Sequence, residues 1–376
     1  MTVSLRIICV AGMIDAKLNA KLAPILAIPE VIQVYLIRRN AFQAPKVICC
    51  SPPRYWRWKP FAEVWRLLRL FALCRRECPD VLLAMGLVPH GWYVALAGYW
   101  FGIPTIQHVM GKNDFNLPVL RKPGLWLSLR AVKSAARVAV RGTVTMDWLA
   151  AQGIPHESIF VQHNVHPFKL FAPETQLNNG NDVEAGISRP FDLVYVGLLA
   201  SYKRLDLTLK MFAHVCEQRP ATRLLLVGDG PLRKSLEIQA AQLGIADRVH
   251  FAGRVEFNEL PRHYNSARAF VMTSTGEGLP QAMVEAMSCG LPVIMPMDAD
   301  IGDLAQHEVN ALLYPAGDAP ACAEAVLRLL NDATLYDRLR RGTLDLRRQY
   351  AQAYSLECQA ETWREQILAT VDTAAS

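Results

Sequence analysis

Short apolar runs rich in Val and Ile alternate along this chain with longer segments of helical period, and the alternation occurs twice. It is typical of βαβ units, in which parallel strands form a sheet covered by helices. The first half predicts strands at Leu5–Val10, Val31–Ile37, Val47–Cys50, Val81–Ala84, Thr105–Val109, Arg137–Val140 and Ile159–Gln162. The second half predicts strands at Asp192–Val196, Arg223–Val227, Val249–Phe251, Ala269–Met272 and Pro292–Met295. We therefore predict an α/β fold of two Rossmann-like, doubly wound domains that face a cleft.

The domain bounds follow from length and from one polar segment. A chain of 376 residues exceeds what one hydrophobic core usually holds. A cluster of Asn, Gly and Asp at 178–182 cannot bury a core and predicts a linker. The expected order is a first Rossmann-like domain at 1–170, a linker at 171–190, a second Rossmann-like domain at 191–350, and a C-terminal helix at 351–376. Packing of that last helix back onto the first domain is left open.

The nine cysteines favour a reduced compartment. Neither the adjacent pair Cys49 and Cys50 nor the pair Cys74 and Cys78 has the spacing of a disulfide framework or a zinc site. The apolar stretch at 82–106 is broken by Pro89, His90 and several glycines, which argues against a membrane span. We expect a cytoplasmic protein, with peripheral attachment at the inner face of the cytoplasmic membrane as the open alternative.

Charge is distributed unevenly between the two halves. Residues 1–185 hold 21 Lys+Arg against 11 Asp+Glu, a net +10, whereas residues 186–376 hold 19 against 23, a net −4. A basic first half suits a polyanion, an anionic membrane surface or a phosphorylated substrate. A basic face without a specific partner is the alternative. We expect no nucleic-acid partner, because no basic run, zinc spacing or RNP-type aromatic segment is present.

The segment from Thr275 to Gly290 carries the most chemical information, because it places two glutamates eight positions apart. Glu277 lies in a glycine-flanked turn after a strand, Pro280 fits the first helical position, and Glu285 falls inside the predicted helix. Turn amides near Gly278 and Leu279, with the positive end of the helix dipole behind them, form an anion site. The two carboxylates can then accept hydrogen bonds from hydroxyls on both sides of a bound diphosphate.

This segment resembles the Glu-x7-Glu signature of the retaining GT-B glycosyltransferases, in particular glycosyltransferase family 4. Three further motifs resemble the same family in the same order. They are Val196-Gly197 followed by Lys203, the Gly-Asp-Gly-Pro turn of Val227–Pro231, and the strand and loop of Val249–Val255. The resemblance implies a metal-independent glycosyltransferase of the hexosyltransferase type, with a UDP- or GDP-linked sugar as substrate and no other cofactor. It also implies that the domain at 1–170 binds the acceptor and the domain at 191–350 binds the nucleotide sugar.

The resemblance also implies roles for single residues. Glu277 would contact the donor sugar, Lys203 would neutralise the leaving diphosphate, and Glu285 would bind the donor ribose. His108, near the end of a first-domain strand, would be the active-site histidine facing the cleft. The residues implied in donor binding are Gly12, Gly197, Arg204, Gly228, Gly253, Arg254, Val255, Gly278, Leu279, Pro280 and Glu285.

The sequence departs from the family pattern at three places. Leu198 stands where the family commonly has an Arg that shares the diphosphate with the lysine, Gly12 lacks the usual glycine neighbour, and Asn164-Val165 replaces an Asn-Gly turn. The Asp298-Ala299-Asp300 triplet matches a metal-binding pattern, but a three-residue match is weak, and we expect no metal there.

These observations predict a retaining transferase that acts on a glycan or lipid-linked acceptor in cell-surface polysaccharide or glycolipid synthesis. The alternatives are another enzyme on the same plan, such as an epimerase or a phosphorylase, and a degenerate member of the family. The degenerate member would bind sugar nucleotides or a partner enzyme without turnover, and the departures at Leu198 and Gly12 favour it somewhat.

A segment from Arg54 to Arg76 predicts contact with an anionic membrane. At helical spacing one face carries Trp58, Phe61, Trp65 and Leu68, and the opposite face carries Lys59, Arg66 and Arg76. Leu67 and Leu70 fall near the basic side, so an ordinary helix packed on its sheet is the alternative.

Overall fold

The computed structural model describes residues 4–13, 15–56, 58–115, 121–173, 189–275, 279–297, 301 and 304–375. The chain divides into two compact units. Unit 1 comprises Met1–His166 together with Gln352–Ser376, and unit 2 comprises Pro167–Ala351.

Unit 1 is built on a parallel sheet whose described strands have the order β3-β2-β1-β4-β5-β6-β7. The chain builds the sheet outward from β1 in one direction through β2 and β3. It then returns to the other side of β1 with β4 and continues through β5, β6 and β7, so the sheet is doubly wound. Each strand predicted in the first half is present, and its ends agree to within one residue. The strands are β1 Leu5–Ala11, β2 Val31–Ile37, β3 Val47–Cys50, β4 Val81–Met85, β5 Thr105–His108, β6 Arg137–Val140 and β7 Ile159–Val161.

Helices cover both faces of this sheet because alternate strand residues point to opposite sides. Ile7 and Cys9 pack under the first and last helices of the chain, whereas Ile8 and Val10 pack under α2 and α3. Trp363 of the last helix is fully buried and makes an edge contact with Phe160, with ring centroids 5.3 Å apart. The unit 1 helices are α1 Asp15–Ala27, α2 Lys59–Glu77, α3 Trp92–Phe101, α4 Arg121–Lys133, α5 Thr143–Ala151 and, after those of unit 2, α12 Leu356–Ala375.

Unit 2 repeats the plan with a parallel sheet of order β10-β9-β8-β11-β12-β13. Its strands are β8 Phe191–Val196, β9 Leu224–Val227, β10 Val249–Gly253, β11 Ala267–Val271, β12 Val293–Pro296 and β13 Ala311–Tyr314. Its helices are α6 Leu205–Gln218, α7 Arg233–Gln242, α8 Leu260–Asn265, α9 Gln281–Ser288, α10 Ala319–Asn331 and α11 Ala333–Ala353. The sequence did not predict β13, whose Ala-Leu-Leu-Tyr run has no β-branched residue.

The boundary between the units differs from the sequence-based bounds. Residues 167–173 belong to unit 2, where Phe171 is buried against Tyr264 and the Asn265 amide donates to the Ala172 carbonyl at 2.9 Å. The domain expected at 1–170 therefore ends at His166, and the linker expected at 171–190 begins inside unit 2. Its part at 174–188 lies outside the described residues.

Among the helices of the described residues, none combines the length and apolar character needed to span a bilayer.

Candidate functional site

Three glycines bring the loops of unit 2 together at the carboxyl edge of its sheet. Gly197, Gly228 and Gly253 end neighbouring strands, and Gly197 N–H donates to the Val227 carbonyl at 2.9 Å while Gly228 N–H donates to the Gly253 carbonyl at 2.8 Å. A Cβ on Gly228 would lie 1.9 Å from the Gly197 carbonyl oxygen. No side chain fits at this position, so two loop backbones approach as closely as glycine permits.

The Gly-Asp-Gly-Pro turn fixes the loop that follows β8. Leu199 N–H donates to the Asp229 carbonyl at 3.0 Å, and the Leu199 carbonyl accepts from Leu232 N–H at 3.0 Å. A Cβ on Gly230 would lie 2.5 Å from that same carbonyl. The loop that leads to Lys203 is therefore held by the neighbouring loop.

Lys203 and Arg204 lie at the entrance to α6. The Thr273 hydroxyl contacts the Arg204 carbonyl at 2.9 Å and the Thr208 hydroxyl at 2.7 Å. Thr273 lies two residues after the end of β11, in the part of the chain that precedes Glu277. This contact places the Lys203 loop beside the start of the glutamate segment, with Lys203 Nζ 5.2 Å from the Tyr202 ring centroid.

Glu285 lies on α9, is partly buried, and accepts a hydrogen bond from the Tyr264 hydroxyl at 2.7 Å. Burial raises the pKa of the Glu285 carboxyl to about 7, against the lowering effect of the Tyr264 bond. The helix begins at Gln281, and Pro280 stands one position earlier with an extended ψ of 121°. The prediction of Pro280 as the first helical residue was therefore wrong by one position, which is the usual scatter of helix ends.

The loop after β10 contains Gly253, Arg254 and Val255. Gly253 has a left-handed φ of 74°, a conformation that favours glycine. Arg254 is exposed and Val255 is partly buried. Arg233, which sequence reasoning did not single out, reaches the same edge from α7, and its guanidinium donates to the Phe251 carbonyl at 3.4 Å.

Unit 2 therefore gathers most of the predicted donor-binding residues at one sheet edge. Glu277, Gly278, Asp298 and Asp300 lie outside the described residues. Within the described residues, no group of three or more His, Cys, Asp or Glu side chains is placed to hold a metal ion. The predicted residues brought to this edge are Gly197, Lys203, Arg204, Gly228, Gly253, Arg254, Val255, Leu279, Pro280 and Glu285.

Unit 1 has a cavity of about 400 Å³ at the carboxyl ends of β1, β4 and β5. Gly12 lies in its wall, and a Cβ there would be 2.4 Å from Cε1 of His90. The cavity wall is mostly apolar, with two titratable side chains. The lining residues include Gly12, Met13, Met85, His90, Met110 and Asp114.

His90 is held in one protonation state by its neighbours. Arg66 Nη1 donates to His90 Nε2 at 2.8 Å, and the same nitrogen pairs with Glu63 at 2.7 Å. Since Nε2 accepts, the ring proton of the neutral imidazole is on Nδ1. Burial, and then the charge of Arg66, lower the pKa of His90 to about 3. His90 thus presents a neutral ring with a donor at Nδ1.

His108 lies at the carboxyl end of its strand, as predicted from the sequence. It is the last residue of β5 and is buried, with Nε2 3.1 Å from Lys21 Nζ. Burial, followed by the charges of Lys21 and Arg141, lowers the pKa of His108 well below its ordinary value. The described cavity-lining residues from the loop after β5 are Met110 and Asp114. The sequence analysis missed His90, which follows the buried strand β4 by five residues. The signal that could have found it is the one that identified His108, a histidine near the carboxyl end of a buried strand.

Asp114 completes the polar part of the cavity. Its carboxylate accepts from Met110 N–H at 2.7 Å. Burial raises the pKa of Asp114 to about 6, although the Met110 bond and Lys21 lower it. The cavity therefore combines a neutral imidazole donor with a carboxyl that can accept a hydrogen bond, a set that suits hydroxyl groups.

Two family models match the chain. "Glycosyl transferases group 1" matches residues 190–332, and "Glycosyl transferase 4-like domain" matches residues 38–164. The chain belongs to the group 1 glycosyltransferases. This confirms the resemblance found in the sequence.

Curated relatives agree with this family. The putative glycosyltransferase EpsF of Bacillus subtilis is 35% identical over 54% of each chain. The amylovoran biosynthesis glycosyltransferase AmsK of Erwinia amylovora is 28% identical over 48% of this chain and 44% of its own. The alpha-monoglucosyldiacylglycerol synthase of Streptococcus pneumoniae is 30% identical over 52% of this chain and 46% of its own. The chain thus spans about half the length of the curated relatives it matches.

Solved structures show the fold. Anabaena HepE in complex with UDP has a TM-score of 0.75 at 17% identity and covers 97% of this chain and 100% of its own. Sucrose-phosphate synthase of Thermosynechococcus elongatus has a TM-score of 0.74 at 19% identity and covers 99% and 100%. The predicted fold class, two Rossmann-like doubly wound domains of the GT-B type, is confirmed.

Proposed function

We propose that this chain is a retaining glycosyltransferase that moves a hexosyl group from a UDP- or GDP-linked sugar to a glycan or lipid-linked acceptor. The observation that carries the proposal is the meeting of Gly197, Gly228, Lys203 and Glu285 at one sheet edge of unit 2. HepE structures with UDP and UDP-glucose support a nucleotide-sugar donor. The names of the amylovoran and monoglucosyldiacylglycerol relatives support a role in cell-surface polysaccharide or glycolipid synthesis.

The donor half of the reaction is assigned to unit 2. As the glycosidic bond breaks, negative charge develops on the leaving nucleoside diphosphate. Lys203 and the turn amides near Gly278 and Leu279, before α9, stabilise that charge without a metal ion, in the way that other preorganised oxyanion sites do. Glu285, anchored by Tyr264, accepts from the ribose hydroxyls. Glu277 contacts the donor sugar. Retention of anomeric configuration is part of the proposal and rests on the family resemblance.

The acceptor half is assigned to the cavity of unit 1. His90 donates from Nδ1 to an acceptor hydroxyl, and Asp114 accepts from a second hydroxyl. Gly12 keeps the wall open, since a side chain there would collide with the His90 ring. A role of His108 beside the reacting sugar stays a prediction. A cytoplasmic location is also proposed, on the pattern of the cysteines.

A donor screen tests this function. The purified chain is incubated with a panel of UDP- and GDP-linked sugars and a glycan or lipid acceptor extract, and released nucleotide is measured with and without acceptor. We expect acceptor-dependent release of one nucleotide, reduced by Lys203→Ala. Binding of a sugar nucleotide without release under every acceptor would identify a protein that binds donor without turnover.

A further inference from the structure

The exposed apolar side chains of unit 1 are concentrated on three neighbouring helices, α2, α3 and α4. Phe71 of α2 and Phe101 of α3 make an edge contact, with ring centroids 5.4 Å apart. Trp92 of α3 donates through Nε1 to the Ser128 hydroxyl of α4 at 3.1 Å. The three helices therefore form one continuous layer, with α3 in the middle.

The outer surface of α2 carries an apolar stripe. Phe61, Val64 and Leu68 are exposed and recur at the spacing of one helical face. Trp58, which is 69% exposed, packs its ring 5.6 Å from that of Phe61. The opposite surface of α2 packs on the sheet through residues such as Leu70. The helix is thus both a normal packing helix and the carrier of an exposed apolar stripe.

The stripe continues across the other two helices. On α3, Tyr99 is 88% exposed and Trp100 is 71% exposed. On α4, Trp126 is 59% exposed between Leu125 and Leu127, which are exposed as well. We call the outward surface of α2, α3 and α4 the aromatic face.

This surface corrects the face assignment made from the sequence. Trp65, expected on the apolar outer face, packs partly buried against the core. Arg66, expected on the basic outer face, is buried and contacts Glu63 and His90. The exposed apolar stripe is therefore formed by Val64 in place of Trp65, and two helices that the sequence did not implicate extend it.

The segments that carry the aromatic face are basic in sequence. Residues 54–77, 92–101 and 121–133 together hold eleven Lys+Arg against two Glu. Both glutamates are engaged by arginines of α2, since Glu63 pairs with Arg66 at 2.7 Å and Glu77 with Arg76 at 2.6 Å. The Arg130 guanidinium lies over the Trp126 ring at 5.4 Å. Exposed cations at the edge of the face include Arg54, Arg75, Lys122, Arg130 and Lys133.

We propose that the aromatic face docks unit 1 on an anionic phospholipid bilayer. Trp and Tyr side chains, with an apolar body and a polar tip, are suited to the level of the lipid headgroups. The basic edge complements anionic lipids, each Lys or Arg adding roughly fivefold to binding near such a surface. A second copy of the chain is a poor occupant, because two aromatic faces would bring together the exposed cations of both copies, which include Arg54, Arg75, Lys122, Arg130 and Lys133.

Vesicle co-sedimentation of the full chain tests the proposal without any measurement of transfer. Vesicles of phosphatidylcholine alone are compared with vesicles that also contain phosphatidylglycerol. We expect binding only with phosphatidylglycerol, and a decrease as salt screens the charges. Lys122→Glu with Arg130→Glu lowers the partition coefficient at least about tenfold. Tyr99→Ser with Trp126→Ser lowers the partition coefficient, and the binding that remains still depends on salt.

Matched variants in unit 2 distinguish an effect of the aromatic face on vesicle binding from an effect of total charge or hydrophobicity. Lys210→Glu with Lys234→Glu makes the same change in net charge at exposed positions of α6 and α7, and Ile238→Ser removes an exposed apolar side chain. These controls keep wild-type binding, and circular dichroism confirms that every variant folds. Equal binding by wild type and face variants overturns the proposal. So does self-association, seen in analytical ultracentrifugation, that the face variants abolish while vesicle binding is absent.

Discussion

Replacing Glu285 by Gln tests whether the Glu285 carboxyl of the proposed donor site lowers the free energy of unfolding. The Glu285 carboxyl has a pKa raised from 4.5 to about 7, chiefly by burial. Its protonated form therefore favours folding. The stabilisation is complete below the pKa of the unfolded chain and is lost as the pH rises through about 7. A Gln side chain stays neutral at every pH and keeps an oxygen for the Tyr264 hydroxyl.

The magnitude follows from the size of the pKa shift. The pKa of Glu285 changes from 4.5 in the unfolded chain to about 7 in the folded chain. At about 1.4 kcal/mol per pKa unit, this lowers the free energy of unfolding of the wild type by about 3 kcal/mol at about pH 8.5. At about pH 5 the same pKa difference lowers the free energy of unfolding by less than about 1 kcal/mol. Glu285→Gln should therefore unfold roughly 5 to 10 °C higher than wild type in alkaline buffer, and nearly together with it in acid.

The assay is urea and thermal unfolding of both proteins at the two pH values, followed by circular dichroism. Glu324→Gln, at an exposed position of α10, is the matched control and should change stability by less than about 0.5 kcal/mol at either pH. A nucleotide-sugar titration of the same samples gives the functional readout. At about pH 8.5, where Glu285 is ionised in wild type, the variant should lose most of the thermal shift that the donor causes, because the ribose loses its carboxylate acceptor.

Two results would contradict this reasoning. An equal effect of Glu285→Gln at both pH values would show that the carboxyl is not maintained in a shifted state by burial. Donor-induced stabilisation of the variant equal to that of wild type would remove Glu285 from the ribose site, whatever its effect on stability.

The other predictions concern the chemistry of each unit. Lys203→Ala and Glu277→Gln should each lower kcat about 100-fold or more, whereas Lys210→Ala should leave the rate near wild type; a near-normal rate in either site variant, from initial velocities, would exclude that residue. Transfer should persist in excess chelator, and loss of activity that a divalent cation restores would disprove metal independence. His90→Ala should raise the acceptor KM more than it lowers kcat, with partial rescue by Asn. The ratio of variant to wild-type KM should be constant between about pH 5 and 8, since the pKa of His90 is about 3 and Asp114, with a pKa of about 6, titrates in both proteins; a ratio that changes in that range would contradict the assignment. Tyr264→Phe should destabilise the chain by about 1 to 3 kcal/mol by removing the donor to a partly buried carboxylate, which urea unfolding measures.

The amino-acid sequence determined the features that depend on neighbouring residues. Val- and Ile-rich runs at the spacing of strands predicted β1 to β12 because such runs need burial on both faces of a parallel sheet. Gly197, Gly228 and Gly253 were identified as loop residues by the resemblance of their motifs to the family, and the close backbone approach at Gly228 explains why glycine is required there. These signals are short in range, so the sequence alone was enough to read them.

Tertiary structure decided what depends on residues far apart in the chain. The Ala-Leu-Leu-Tyr run of β13 is a strand because β12 offers it a partner edge, and its own propensity gave no sign of this. Arg66 turns inward, where its Nη1 contacts both Glu63 and His90. His90 and His108 both lie near strand ends, and their burial among distant neighbours decides which one lines the cavity of unit 1. Burial and long-range pairing are properties of the packed chain, so sequence patterns locate the candidates and the packing selects among them.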